Sequence, residues 1–316
     1  MIGITKDRDL FLETLIVPFL QGENLESDIA KLAEELNIPK TLLTEQIKAE
    51  KKEVSLFYPI GHKCIKRVYC LGLGTKPTLK MVIDAFKRFL QIEAAKLPSN
   101  LSIDISNGNF DPEFIPILTE GLVSGLILGT YKKGLYQTSN VPEHKWDSEQ
   151  LKLQFFVKDN FDAKVKIAAE KGRAIAETQL KILRLVNAPS NKLTPIKLAQ
   201  EAVMSGKEFG YKVEVHDEKA IEKLGLYALM AVGQGSETPA RFIVMEYKPK
   251  VTGTILPKVG LIGKGVTFDT GGLSIKGSSN MHYMKSDMGG AAAVLGTIEL
   301  TAKLKLPVHL IAVIPT

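Results

Sequence analysis

The segment GKGVTFDTGGLSIK (263–276), followed by MKSDMGG (284–290), gathers Lys264, Asp269, Lys276 and Asp287 among glycines. Two carboxylates and two amines on a stiff, Gly-rich backbone suit divalent metals and a polarised carbonyl. Ions of the Zn, Mn or Mg kind take deprotonated oxygen or nitrogen donors. Gly271 and Gly272 follow Asp269 closely and let backbone approach a ligand with no side chain in the way. Lysine ligates a metal only after losing a proton, so a nearby metal or burial must bring its pKa well below the usual ~10.4. Lys264 lies between Gly263 and Gly265, at the end of a strand that reads as buried. A lysine kept charged beside a carbonyl oxygen would instead stabilise an oxyanion.

Each of these residues alone has a plainer reading. Asp287 precedes an Ala-rich helix and reads as its cap. Asp269 reads as a turn residue, and the two lysines as surface side chains. Other site chemistries are excluded by pattern: there is no G-x-x-x-x-G-K-[ST], no G-x-S-x-G and no H-E-x-x-H. The five histidines, His62, His144, His216, His282 and His309, lie far apart in sequence. His309 falls inside a strand pattern and reads as structural, whereas His282 sits in the site loop, where a substrate could reach it.

The elements that must position these residues alternate. Strand patterns at 10–20, 54–60, 67–74, 101–107 and 151–157 are separated by helical spacing at 27–36, 39–50, 78–95 and 111–131. A polar stretch, TSNVPEHKWDSEQ (138–150), predicts a loop, and a domain boundary is expected near 160. One long helix is predicted over 162–186, breaking at NAPSNKLTP (187–195). Thr194 then caps a new helix with Pro195 at its first position. Strands follow at 211–216, 241–247, 258–263 and 307–315, with helices at 218–225 and 288–304. Strands separated by helices imply α/β layers around a mostly parallel sheet.

Composition narrows the function classes. The chain has 316 residues, enough for two domains, with 45% apolar and 24% charged residues. No apolar run approaches the ~20 residues that span a bilayer. Cys64 and Cys70 read as reduced thiols, and with no export signal the expected location is cytoplasmic. The net charge of +6 comes from scattered lysines, including patches at 48–53 and 248–258. A nucleic-acid groove would need clustered Arg with interleaved aromatics, so neither nucleic acid nor membrane is the expected partner.

Taken together, the second half resembles the leucyl aminopeptidase family of dinuclear metallopeptidases, the M17 cytosol type. The likeness runs through LVNAPSNKLTP (185–195), GLYALMAVGQGSETPARFIVMEY (225–247) and GKGVTFDTGGLSIK. It continues through MKSDMGGAAAVLG (284–296) and LPVHLIAVIP (306–315), covering roughly residues 160–316. The first half is similar in its pattern of elements. The resemblance implies a macro-like α/β domain over 1–160 and an incomplete α/β catalytic domain with a central, mostly parallel sheet over 161–316.

It also implies the chemistry. Lys264, Asp269 and Asp287 match metal ligands, with Asp269 bridging two divalent ions, Zn or Mn, and Mg as a further candidate. Lys276 matches the catalytic lysine that polarises the scissile carbonyl. Met284 matches a wall of the pocket for the substrate's first side chain. The implied activity is release of N-terminal residues, leucine-type, from peptides by a homo-oligomer, hexameric in the family. The family continues with an N-T-D-A-E-G-R segment that supplies an Asp and a Glu ligand and an Arg holding bicarbonate. The chain stops before it, so little activity is expected from these residues alone. The alternative is a non-catalytic binding or assembly module. A sheet ending at 316 is also expected to leave an apolar edge open and residues 250–316 less stable than 1–150.

Overall fold

The structure, a computed structural model, describes residues 1–131, 136, 147–158, 160–250 and 256–316. It divides into two compact units, Met1–Glu177 and Thr178–Thr316. The first contains β1 (Ile2–Thr5), β2 (Thr14–Phe19), α1 (Leu25–Leu36), α2 (Lys40–Gln46), β3 (Val54–Phe57) and β4 (Arg67–Gly72). It continues with α3 (Leu79–Glu93), β5 (Asn100–Asp104), α4 (Phe114–Gly129), β6 (Lys152–Phe156) and α5 (Asp162–Asn187), within which the division falls.

The six strands run in the order β1-β6-β5-β2-β4-β3, and every pair is parallel except β3 with β4. A parallel sheet is covered on both faces, so its strands read as continuous apolar runs. The central strand β2, TLIVPF, is buried at every position. It tolerates Pro18 because its pairing with β5 stops at Ile16, so no ladder partner on that side is lost. The core includes Leu15, Val17 and Phe19 of β2 with Leu32 and Leu36 of α1 and Val68 and Cys70 of β4. The short strand β1, which the sequence did not announce, pairs with β6. Four residues on one side of a sheet leave little periodicity to read. In the loop expected at 138–150, residues 138–146 lie outside the described residues.

The second unit adds α6 (Pro195–Phe209), β7 (Lys212–His216), α7 (Glu218–Lys223), α8 (Tyr227–Gly233) and β8 (Phe242–Tyr247) to the end of α5. It closes with β9 (Lys258–Ile262), α9 (Gly289–Lys303) and β10 (His309–Pro315). Thr194 caps α6 as its spacing predicts, accepting from Lys197 N at 3.4 Å, with Pro195 in the first turn. Asp217 caps α7 by accepting from Ala220 N at 2.9 Å. Helix α8 was not foreseen: YALMAVG is apolar all round and has no side-chain cap, so it carries no amphipathic signal.

The sheet order is β7-β8-β10-β9, with β10 parallel to β9 and antiparallel to β8. Among the described residues two of its three pairings, β7 with β8 and β8 with β10, are antiparallel, so the mostly parallel sheet expected over 161–316 is corrected for these residues, and the mainly parallel sheet is the first unit's. The second unit's core joins Ile243, Met245, Leu310, Ala312 and Ile314 of the strands to Leu198 of α6 and Ala291, Leu295 and Ile298 of α9. A second expectation is also corrected. The strand before Lys264 is not buried: β9 stands at a sheet edge, with Val259 41% and Ile262 80% exposed. Apolar composition alone does not separate a central strand from an edge strand.

Candidate metal centre

Beyond β9 the chain passes through Gly263, Lys264 and Gly265 as a strap held by backbone bonds. Gly263 N donates to Val313 O at 3.0 Å and Gly265 N to Pro315 O at 2.9 Å. From the first turn of α9, Ala291 N donates to Lys264 O at 2.9 Å. The Thr316 hydroxyl donates to Gly265 O at 2.6 Å. A Cβ on Gly263 would lie 2.7 Å from Gly290 O, so a side chain there would push the strap off α9. The strap therefore fixes where the Lys264 side chain leaves the backbone.

Asp269 and Asp287 meet around that side chain. Lys264 Nζ lies 2.7 Å from Asp287 Oδ2 and 4.0 Å from Asp269 Oδ2, and Lys276 Nζ lies 3.0 Å from Asp269 Oδ2. Asp269 Oδ1 accepts from Gly271 N at 2.8 Å, so the turn reading of this residue is realised alongside the cluster. The capping reading of Asp287 is not. The residue before α9 is Met288, which makes no side-chain cap, and the Asp287 carboxylate is turned to Lys264.

The electrostatics follow from these pairs. Lys276, and then the Gly271 N–H, hold the Asp269 carboxyl below the usual carboxylate range, against a smaller upward push from desolvation. The Asp287 carboxylate raises the Lys264 ammonium above the ordinary lysine value. Burial does not neutralise Lys264, whose side chain is 55% exposed. Asp287 Oδ2 is a buried atom that lies in ion-pair range of Lys264 yet receives no hydrogen bond of good geometry.

The donor set fits a divalent ion through two carboxylates and, once deprotonated, an amine. Among the described residues no three His, Cys, Asp or Glu side chains converge on a metal position. Met284 lies in a short 3-10 segment, Met281–Ser286, and its carbonyl accepts from Asp287 N at 3.2 Å. His282 is exposed in that segment with its ring 4.1 Å from that of Tyr283. His309 is a strand residue paired with Glu246 at 2.8 Å. His144 lies outside the described residues.

Two features escaped the sequence reading. A groove of about 430 Å³ adjoins the strap, lined by Leu229, Val232, Ile262, Lys264, Phe268 and Pro315 among others. Glu299 lies 1% exposed inside the unit and is bound by residues of three helices. Its one sequence signal is a lone acid in the small, apolar helix GGAAAVLGTIELTAK.

Acids and amines are thus gathered beyond the C-terminal end of β9, next to its parallel partner β10. Residues 182–316 match the catalytic domain of the cytosol aminopeptidase family. A probable cytosol aminopeptidase of Chloroherpeton thalassium is 34% identical over 331 residues, covering 99% of this chain and 64% of that protein. One of Persephonella marina is 37% identical over 257 residues, covering 79% of this chain and 49% of its own length. A solved bottromycin maturation enzyme in complex with Mn superimposes with a TM-score of 0.72 at 25% identity, over 96% of this chain and 59% of that one. A tomato leucine aminopeptidase variant shares the fold at a TM-score of 0.76 and 20% identity, over 100% of this chain and 62% of that one.

Over residues 182–316 this chain carries the catalytic-domain pattern of the cytosol aminopeptidase family, and along its length it is similar to probable cytosol aminopeptidases. The Chloroherpeton match takes in the first half as well, where sequence reading found only a similar pattern of elements. The chain spans less than two thirds of the length of these relatives.

Proposed function

We propose that the second unit carries the metal-binding part of an aminopeptidase centre that releases N-terminal, leucine-type residues from peptides. The observation that carries this reading is the convergence of the Asp269 and Asp287 carboxylates on the Lys264 amine. Lys264, Asp269 and Asp287 would hold the metal, with Asp269 shared between two ions. Divalent ions at such a site polarise a carbonyl and activate water. The bottromycin maturation enzyme was solved with Mn, which makes Mn the first ion to try, with Zn and Mg next.

Lys276 is 40% exposed and paired with Asp269 at 3.0 Å, and on this reading it turns toward a substrate carbonyl and donates to its developing oxyanion. Met284, half-buried beside Asp287, would wall the pocket for the first side chain. On the same reading residues 1–160 form the macro-like domain of the family. The protein is then a cytoplasmic homo-oligomer. Among the described residues no helix is long and apolar enough to cross a membrane.

The test combines equilibrium dialysis against Mn²⁺ and Zn²⁺ with leucine release from leucinamide. The expected result is metal binding that Asp269→Asn and Asp287→Asn each remove. Leucine release that survives both a chelator and Lys276→Met undiminished would contradict the reading.

A further inference from the structure

Helix α9 meets the metal centre with its first turn, through Ala291 N and the close approach of Gly290 to the strap. Its neighbours touch it through small or aliphatic groups. Ala291, Ala292, Leu295, Ile298 and Ala302 are buried, and Gly296 lies so close to α5 that a Cβ would stand 2.7 Å from Ile182 Cγ1. Smooth contacts of this kind resist sliding or rotation of a helix weakly, because dispersion is non-directional. Directional bonds supply what they lack.

Those bonds converge on Glu299. Its Oε1 accepts from Thr178 Oγ1 at 3.0 Å and pairs with Lys303 Nζ at 2.8 Å. Its Oε2 accepts from Lys181 Nζ at 2.8 Å and Ser205 Oγ at 2.7 Å. Lys303 Nζ also donates to Thr178 Oγ1 at 2.9 Å and lies 4.4 Å from the Phe209 ring centroid. One buried carboxylate thus ties α9 to α5 and α6 along fixed directions. Setting register is the best-attested use of a buried charge network.

We propose that Glu299 is a positioning residue for the metal centre: it fixes the register of α9 against α5 and α6, and so sets where Asp287 and the first turn of α9 meet the strap at Lys264. It touches neither metal nor substrate. The inference rests on the metal-centre reading only for its consequences on metal affinity. The seating of α9 on the strap can be read without any metal.

The decisive variant carries Lys181→Met, Glu299→Met and Lys303→Met together. Replacing a whole buried ionic group by apolar side chains of similar size tends to preserve stability, whereas removing one member does not. Hydrogen exchange of the Ala291 amide, referred to amides of β10, reports seating separately from global unfolding. The expected result is a folded protein whose relative Ala291 protection falls about tenfold, with Mn²⁺ affinity falling by a similar factor, as for lost supporting groups around metal ligands. A folded variant with parental Ala291 protection would overturn the proposal and leave the network a stabilising feature only.

Should the triple variant not fold, Ser205→Ala decides. It removes one bond to Glu299 and keeps both charge pairs, and about a threefold loss of relative Ala291 protection is expected. Unchanged protection would overturn the proposal. A parent chain that binds no Mn²⁺ would overturn the metal-centre reading, and the exchange result would still decide the positioning.

Discussion

Carboxylates and lysines form two clusters in the second unit, on either end of α9, and they are built to opposite specifications. Around Glu299 every charge is spoken for, and the carboxylate is 1% exposed with four partners. Around Lys264 the side chains of Asp269 and Asp287 are 29% and 22% exposed, and among the described residues the buried Asp287 Oδ2 rests on a single ion pair, to Lys264 Nζ at 2.7 Å. A buried polar network stabilises only when fully satisfied. Residue type does not separate the two clusters, but partner count and exposure do.

The sharpest way to break this contrast is to remove one charge from each cluster. Glu299→Ala leaves the Lys181 and Lys303 ammoniums, 26% and 14% exposed, without their carboxylate. It is expected to destabilise the second unit by about 3 kcal/mol, measured by urea unfolding. Asp269→Asn should change stability by less than about 1 kcal/mol, since its pairs are partly exposed. It should lower Mn²⁺ affinity by at least about tenfold, given that even supporting groups around a metal matter that much.

Acid sharpens the comparison further. Burial pushes the Glu299 carboxyl up, but Lys181, Lys303 and Ser205 outweigh it and bring it from the ordinary 4.5 to about 2. A carboxyl whose folded value is depressed stabilises fully above its unfolded value and loses that contribution as pH falls through the folded one. Stability is therefore expected to decline between 4.5 and about 2, by about 3 kcal/mol in total. In Glu299→Gln that decline should be correspondingly shallower, as read by thermal unfolding across this range. The smallest effect belongs to Lys276→Ala: its pair with Asp269 is 40% exposed on the lysine side, so a stability change under about 1 kcal/mol is expected.

The same contrast explains what the sequence could disclose. Lys264, Asp269, Lys276 and Asp287 crowd into one stretch, and the structure brings all four side chains together. The Thr194–Pro195 start of α6 was legible because a cap and a first-turn proline are local chemistry. An open apolar edge was expected, but that β9 is the strand standing there was not legible, because edge position is decided by which strands pair, and pairing is non-local. Helix α8 was missed for want of an apolar stripe or a cap. Glu299 was missed because its partners Thr178, Lys181 and Ser205 come from helices distant in sequence, and only the tertiary fold gathers them.

The most direct test of the account is a Mn²⁺ titration followed by electron paramagnetic resonance, run on the parent chain, Asp269→Asn and Asp287→Asn, with unfolding curves for all three. Saturable binding in the parent and none at the same concentrations in either variant, with all three equally stable, is the predicted result. Undiminished Mn²⁺ binding in both folded variants would contradict it.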